Sequence, residues 1–424
     1  MDVQNLRIGD ICKMVCSGGT PKSSEPSYYD GGIPWLNTNE VNFCNIYSTN
    51  KTISEEGLKK SAAKFIPVNT VIVAMYGVTA GKSAIAKIPL TTNQACCNLI
   101  IDDKKADYNY VYNFLRLQSD FLNKLANGGA QQNLNSIIIK KFKISLPSLP
   151  TQRKIASILS AYDSLIENNT KRIRLLEQMA ENLYKEWFVR FRFPGHEKVE
   201  MEKSKLGKIP SSFAVITMGA VFDYYIGGGW GNDEQTEEFE IEASVIRGAD
   251  FPSVWHYDVS TCPQRYHKVS NYKSRQLEDG DIVMEISGGT SEQPVGRSVL
   301  VTQDMIDRFK DGKVICASFC KLIRLKKEII SPYYFYYWMK FLYDTRIIDR
   351  FQLQSTGIIN FKFEPFLKKG NVMLPPMKLM QKFEKQISTI YHEINLLAKQ
   401  NQQLSTQRDL LLPRLMSGKL EVKV

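Results

Sequence analysis

Histidine is nearly absent from this chain. There are 4 in 424 residues, His196, His256, His267 and His392, and none is spaced from another as a ligand pair. The Cys12-x3-Cys16 and Cys316-x3-Cys320 spacings therefore lack the partners of a zinc site, and no bound metal is expected. The 8 cysteines, which also include Cys44, Cys96, Cys97 and Cys262, lie largely in apolar runs where a thiol packs as a small hydrophobe. No disulfide framework is expected, and a reducing cytoplasm is the simplest setting. No apolar stretch reaches the length of a membrane span, and the polar start Met1-Asp2-Val3-Gln4-Asn5 is not that of a secretory signal.

Catalytic signatures are missing as well. There is no glycine-rich methyl-donor loop, no Asn-Pro-Pro-aromatic site of the kind amino-methyltransferases use, and no nuclease-like carboxylate cluster with its lysine. Gly77-Val78-Thr79-Ala80-Gly81-Lys82-Ser83 superficially matches a phosphate-binding loop. That loop needs four residues between its glycines so that successive N–H groups wrap the phosphates, and a helix must follow. Here there are three, and the continuation is short and strand-like, so the segment reads as a tight hairpin turn presenting Lys82. These absences argue against a self-sufficient enzyme.

What is present is positive charge and repetition. A net charge of +11 favours a polyanionic partner, of which nucleic acid is the commonest. Apolar residues make up 43% and charged residues 23%, as in an ordinary globular protein with ample chain for two domains. Aligning Pro147 with Pro375 sets an offset of 228 between two stretches of the same design. In the first, steps of four and three visit Ile155, Leu159, Tyr162, Ile166, Asn169, Ile173, Leu176, Ala180, Leu183 and Trp187. In the second they visit Phe383, Ile387, Ile390, Ile394, Leu397, Asn401, Leu404, Arg408, Leu411 and Leu415. Such alternation is a coiled-coil seam, and two in identical phase imply a molecule with two similar halves. The flanks repeat too: Gly129 and Gly357 each stand 18 residues before the aligned proline, and Gly81-Lys82-Ser83 corresponds to Gly296-Arg297-Ser298.

Within the first globular half, residues 71–75, 83–86 and 96–101 read as strands, 108–125 as a helix and 137–146 as a terminal strand. In the second, 281–286, 297–301 and 314–325 read as strands. Ser331-Pro332 caps an aromatic helix over 333–342, whose rings are expected in the core. The domain boundaries follow: a globular domain over 1–150, a long helix over 151–193, a linker over 194–208, a second globular domain over 209–375, and a second long helix with its tail over 376–424. The fold class is mixed α/β, with two similar heads and an antiparallel, pseudo-twofold pairing of the long helices. About 40 residues of helix correspond to roughly 60 Å. Asn169 is expected to face Asn401, each satisfying the other, so that their indices total 570 and a slip of register would be penalised.

Polar, glycine-punctuated loops recur in both halves. Asn and Gln can bond adenine bidentately, Lys and Arg read guanine or phosphate, and glycine lets backbone approach a sugar-phosphate chain. The first half offers Thr20 and Lys22 after Gly18-Gly19, then Trp35, Asn37, Thr38 and Asn39. It adds Tyr76, Thr79 and Lys82, then Asn93 and Gln94, then Gln131, Gln132 and Asn135. The second offers Trp230, Arg247, Ser287, Thr290, Ser291 and Arg297, followed by Gln354, Ser355, Thr356 and Lys362.

With these residues in view, the chain resembles, over essentially its whole length, the specificity subunit of type I restriction–modification systems. Gly18-Gly19-Thr20-Pro21, Ile33-Pro34-Trp35-Leu36, residues 77–86 and Asn93-Gln94-Ala95-Cys96 carry the resemblance. So do Leu146-Pro147 with Gln152, Leu183-Tyr184-Lys185-Glu186-Trp187-Phe188, and the ending Leu411-Leu412-Pro413-Arg414-Leu415-Met416-Ser417-Gly418-Lys419-Leu420. The second half departs locally, with Gly227-Gly228-Gly229-Trp230 and a longer loop at Ser287-Gly288-Gly289-Thr290-Ser291.

The resemblance implies a non-catalytic, cytoplasmic subunit whose heads are target-recognition domains for double-stranded DNA. Its two spacer helices, packed on each other through Ile155, Leu159, Ile166, Asn169, Ile173, Leu176, Phe383, Ile387, Ile394, Leu397, Asn401 and Leu404, would dock two modification (methyltransferase) subunits. S-adenosylmethionine would be held by those partners, with no cofactor on this chain, and restriction (endonuclease/translocase) subunits would complete the assembly. The competing reading is a coiled-coil protein–protein scaffold without sequence-specific DNA binding.

Overall fold

A computed structural model describes residues 3–127, 134–290, 293–355 and 358–423. The chain divides into two compact units. One comprises 1–166 with 403–424, the other 167–402, and both long helices are shared out between them.

In the first unit, a five-stranded sheet places Val71–Ala74 centrally, between Cys96–Ile101 and Ser83–Ala86, with Cys12–Ser17 and Cys44–Ile46 outside them. All four residues of Val71–Ala74 are buried, as the unbroken apolar run requires of a strand covered on both faces. Residues 108–125 form two helices, Tyr108–Leu117 and Ser119–Asn127. Asp107 caps the first, its carboxylate accepting from Tyr110 N at 3.0 Å.

The strand expected over 137–146 is only half strand. Ser136–Lys141 is a helix, because the Asn135 side chain accepts from the backbone of Ile137 and Ile138 at 3.0 Å each and nucleates a turn. Lys143–Leu146 is then the strand, paired antiparallel with Gln4–Arg7. Gln152 is buried at the entry to the first long helix. It accepts from Asp107 N at 3.0 Å and donates to the Pro147 carbonyl at 2.9 Å, tying the helix start to the head.

The second unit repeats this plan. A four-stranded sheet runs Phe222–Gly227, Cys320–Leu325, Ile282–Glu285, Ser298–Leu300. Residues 314–325 split into two strands, Val314–Cys316 and Cys320–Leu325. Ala214–Thr217 pairs with Asn371–Leu374 as Gln4–Arg7 pairs with Lys143–Leu146. Ser331 caps Pro332–Asp344, and the Tyr334, Phe335, Tyr337 and Trp338 rings of that helix are core. Tyr110 Oη donates to the Ser145 carbonyl at 3.1 Å, and Tyr334 Oη donates to the Met373 carbonyl at 2.6 Å. The same ring therefore latches the same strand in both heads. The segment read as a bare linker instead holds a small hairpin, Met201–Ser204 against Gly207–Pro210.

The long helices run Leu149–Tyr184 and Met377–Met416, the first continuing as a π-turn over Lys185–Val189 that lets adjacent Trp187 and Phe188 both face the core. Every seam residue named above is buried or half-buried. Full burial of a seam Ile or Leu contributes about 1.5–3 kcal/mol.

Within the second unit the helices are antiparallel: Asn169 donates to Gln400 Oε1 at 2.8 Å and Asn401 to Thr170 Oγ1 at 3.4 Å, while further along the first helix Arg172 meets Glu393, earlier on the second, at 2.8 Å. The indices of the two asparagine pairs total 569 and 571, either side of the expected 570. Within the first unit, Arg408 meets Asp163 at 2.7 Å with the same total of 571. The register is as expected, but the mutual amide pair is not: each asparagine bonds the other's neighbour, and Asn401 Oδ1 is buried without a partner.

Candidate nucleic-acid interface

Backbone hydrogen bonds gather the first head's polar loops onto one face. Gly18 N donates to the Cys96 carbonyl at 3.3 Å and Gly19 N to the Thr92 carbonyl at 2.9 Å. A Cβ on Gly18 would sit 2.1 Å from the Thr92 oxygen, so only glycine permits this approach. Asn93 N donates to the Leu36 carbonyl at 2.9 Å, and its side-chain amide to Asn37 Oδ1 at 3.3 Å. The Thr79 hydroxyl donates to the Thr38 carbonyl at 2.5 Å. The 18–20, 37–40, 76–82 and 92–95 loops are thereby one cluster.

The second head uses the same frame. Gly228 N donates to the Cys320 carbonyl at 3.0 Å and Gly229 N to the Cys316 carbonyl at 2.9 Å, and a Cβ on Gly228 would meet the Ala317 oxygen at 2.2 Å. Gly248 stands where Thr38 does, its carbonyl accepting from Arg297 at 2.9 Å. Gly81 N bonds the Ala74 carbonyl and Gly296 N the Glu285 carbonyl, which makes Glu285 the counterpart of Ala74.

On this frame the candidate residues separate into outward and inward groups. In the first head Thr20, Lys22, Asn39, Tyr76 and Gln94 are exposed. Lys82 is half-buried and donates to Asn42 Oδ1 at 2.8 Å, on a turn with Gly77 and Gly81 at positive φ and no helix after it, as a hairpin requires. Trp35, expected at the interface, is 4% exposed, and its indole N–H donates to the Gly19 carbonyl at 2.9 Å: it props up the glycine loop from within. Thr79 is buried by its bond to Thr38. Asn37 and Asn93 hold one another, and Asn135 is a helix cap; these three position loops.

In the second head Trp230, Thr290 and Lys362 are exposed, and Ser287 donates to Asn360 Oδ1 at 2.7 Å. Arg247 is clamped on Asp250 at 2.9 and 2.8 Å and donates to the Thr261 carbonyl. Arg297 corrects the expectation most plainly. Its side chain is 8% exposed and forms a two-bond pair with Glu285, both bonds 2.8 Å. Burial disfavours its charge, but the Glu285 bonds prevail and hold the guanidinium above its ordinary value. The first head has Ala74 at the Glu285 position, so Lys82 has no buried acid to draw it inward. Gln131, Gln132, Ser291 and Thr356 lie outside the described residues, as do the side chains of Gln354 and Ser355.

Two outward residues, and one buried cation beneath a third, escaped the sequence reading. Val78, at the hairpin tip, is 97% exposed. Phe319, 63% exposed, occupies the loop that matches Gln94-Ala95: Ile286 N bonds the Phe319 carbonyl as Met75 N bonds that of Ala95. Arg265, buried and paired with Asp233, lies under the exposed Trp230 ring, 4.6 Å from its centre. An alignment of Asn93-Gln94-Ala95-Cys96 with Ala317-Ser318-Phe319-Cys320 would have found Phe319. An apolar residue at a loop tip carries no polar signal in the sequence.

Among the described residues no helix is long and apolar enough to cross a membrane, and no His/Cys/Asp/Glu group is arranged to hold a metal. Residues 1–178 match the type I restriction modification DNA specificity domain. The chain is 27% identical over 430 residues to the type I restriction enzyme MjaIX specificity subunit of Methanocaldococcus jannaschii, covering 98% of this chain and 93% of the relative. The MjaVIII specificity subunit of the same organism is 23% identical over 433 residues, covering 100% and 94%. The crystal structure of the S subunit of a type I restriction–modification system from M. genitalium superimposes with a TM-score of 0.57 at 16% identity, over 98% of this chain and 96% of that one. Over its whole length the chain is therefore similar to specificity subunits of type I restriction–modification systems, and its first 178 residues match the family's DNA specificity domain.

Proposed function

We propose that this chain is the sequence-specific DNA-binding subunit of a type I restriction–modification complex, each head reading one half of a bipartite target. One observation carries the reading: two heads share a glycine-tightened loop frame, bond for bond, yet present different outward side chains. Thr20, Asn39, Tyr76 and Gln94 stand on one, Trp230, Thr290 and Phe319 on the other. A constant frame with variable readers suits recognition of two different base sets, and the charge of +11 suits a phosphate backbone.

In this reading the long helices dock two modification subunits, which bind S-adenosylmethionine and transfer its methyl group, and restriction subunits supply cleavage. This chain contributes no reacting group. A scaffold role would leave the duplicated loop frame unexplained. Sequencing of methylated bases in strains with and without the gene tests the proposal. A split motif should vanish with the gene, and exchange of residues 1–150 for another member's first head should alter one half-site alone. Loss of no motif, or alteration of both half-sites, refutes it.

A further inference from the structure

A cavity of about 520 Å³ lies within the second unit, bordered by the first long helix and the aromatic helix Pro332–Asp344. Trp255, Tyr336, Tyr337, Tyr343 and Tyr391 give it aromatic walls. Its charge is unbalanced. Glu177 and Glu181 come from successive turns of the long helix and Asp344 from the end of the aromatic helix. Lys340 bridges Glu181 and Asp344 at 3.2 and 3.0 Å. Arg297 also borders the space but is paired with Glu285.

Glu177 has His256 Nε2 at 3.6 Å, and among the described residues no lysine or arginine forms an ion pair with it. Burial pushes its carboxyl above the usual range and Glu181 reinforces the rise, while His256, and more weakly Arg174 and Lys340, oppose it.

The first unit contains the same corner with its charges closed. By the offset of 228, Glu181 corresponds to Asp409, Tyr391 to Asp163 and Ala180 to Arg408; by the offset of 224 between the capped helices, Lys340 corresponds to Arg116. There Arg408 bonds Asp163 at 2.7 Å and Asp409 at 2.9 Å, while Arg116 reaches them at 3.3 and 3.6 Å. Two carboxylates meet two guanidiniums of the same chain. At the same four positions the second unit has Tyr391, Glu181, Ala180 and Lys340, one carboxylate to one ammonium; Asp344 has its counterpart in Asp120, and Glu177, where the first unit has Ser405, is the added carboxylate.

We propose that this cavity binds an organic cation, a guanidinium or primary ammonium group, seated over the tyrosine rings with Glu177 as its counter-ion. Ring faces attract cations, and a guanidinium matches a carboxylate with two parallel bonds. The volume falls in the range of small-ligand sites. The group can arrive on a free amine or on an arginine or lysine side chain of a protein partner, and the chemistry is the same.

The test is calorimetric titration of the full chain with agmatine, which carries both cationic groups, at constant ionic strength, with neutral butylurea as control. Agmatine should bind and butylurea should not, and Glu177→Gln should weaken binding about tenfold, the loss of one charge-assisted contact. Glu181→Gln serves as the second variant, and thermal melts confirm that each is folded. A parallel arm measures assembly with the purified modification subunit. Assembly weakened by agmatine or by Glu177→Gln assigns the cation to a partner side chain; agmatine binding with unchanged assembly assigns it to a free amine. Equal binding of butylurea, or no agmatine binding together with unchanged assembly of both variants, overturns the proposal. The titration does not depend on the DNA-reading role.

Discussion

Replacing Glu285 with alanine should sharply destabilise the second unit. The carboxylate makes two 2.8 Å bonds to Arg297, and the two side chains are 6% and 8% exposed. Removing one member leaves a buried guanidinium without a counter-charge, which costs about 3–5 kcal/mol. At about 2–4 °C per kcal/mol for a unit of this size, the melting temperature should fall by about 6–20 °C. The double variant Glu285→Ala with Arg297→Lys restores the pairing of Ala74 and Lys82 found in the first head. Lysine is flexible enough to carry its charge to the surface, so the double variant should recover most of the loss. Differential scanning calorimetry distinguishes these outcomes. A single variant melting within about 2 °C of the parent, or a double variant no better than the single, would show that the ion pair does not hold Arg297 inside.

Lys82→Ala should weaken DNA binding uniformly and lower the salt slope by about one, read by mobility shift at graded salt; unchanged affinity and slope would remove Lys82 from the interface. Phe319→Ala should reduce affinity for cognate DNA while leaving the melt unchanged, since the ring is largely exposed, and a lowered melting temperature with intact binding would make it structural. Asn401→Leu should raise stability by about 1 kcal/mol by removing a buried, unpartnered carbonyl oxygen, and a destabilised variant would refute that account. For His267, burial first and then Arg265 and Arg275 hold the pKa below 6.5. Its contribution to stability is therefore complete above about pH 6.5 and lost as pH falls through the folded value. His267→Phe should flatten stability across that acid window, and an identical slope in parent and variant counts against it.

Periodicity made the long helices legible, because a seam of ten positions in each copy, both in one phase, admits no other period, and duplication supplied the register. Val71–Ala74 and Cys96–Ile101 were legible because strands covered on both faces need unbroken apolar runs. The stretch over 137–146 was misread because its apolar residues suit a strand, while one asparagine cap at Asn135 turns the first half into a helix. At the candidate interface, residue type identified the loops but not the direction of each side chain. Trp35 and Thr79 were chosen for chemistry that suits DNA, and the structure uses that chemistry to bond neighbouring loops.

Sequence by itself determined the two-headed organisation, the antiparallel seam to within one residue, the aromatic core helix and the polar loops that the first head gathers on one face. All of these follow from patterns repeated over many residues, where single exceptions average out. Tertiary structure alone decided which polar residues face outward, because that depends on one or two partners distant in sequence. Lys82 and Arg297 occupy equivalent positions, and Glu285 in place of Ala74 turns the arginine inward. Glu177, where the first unit has Ser405, likewise gives one corner of the second unit a carboxylate that the first does not have.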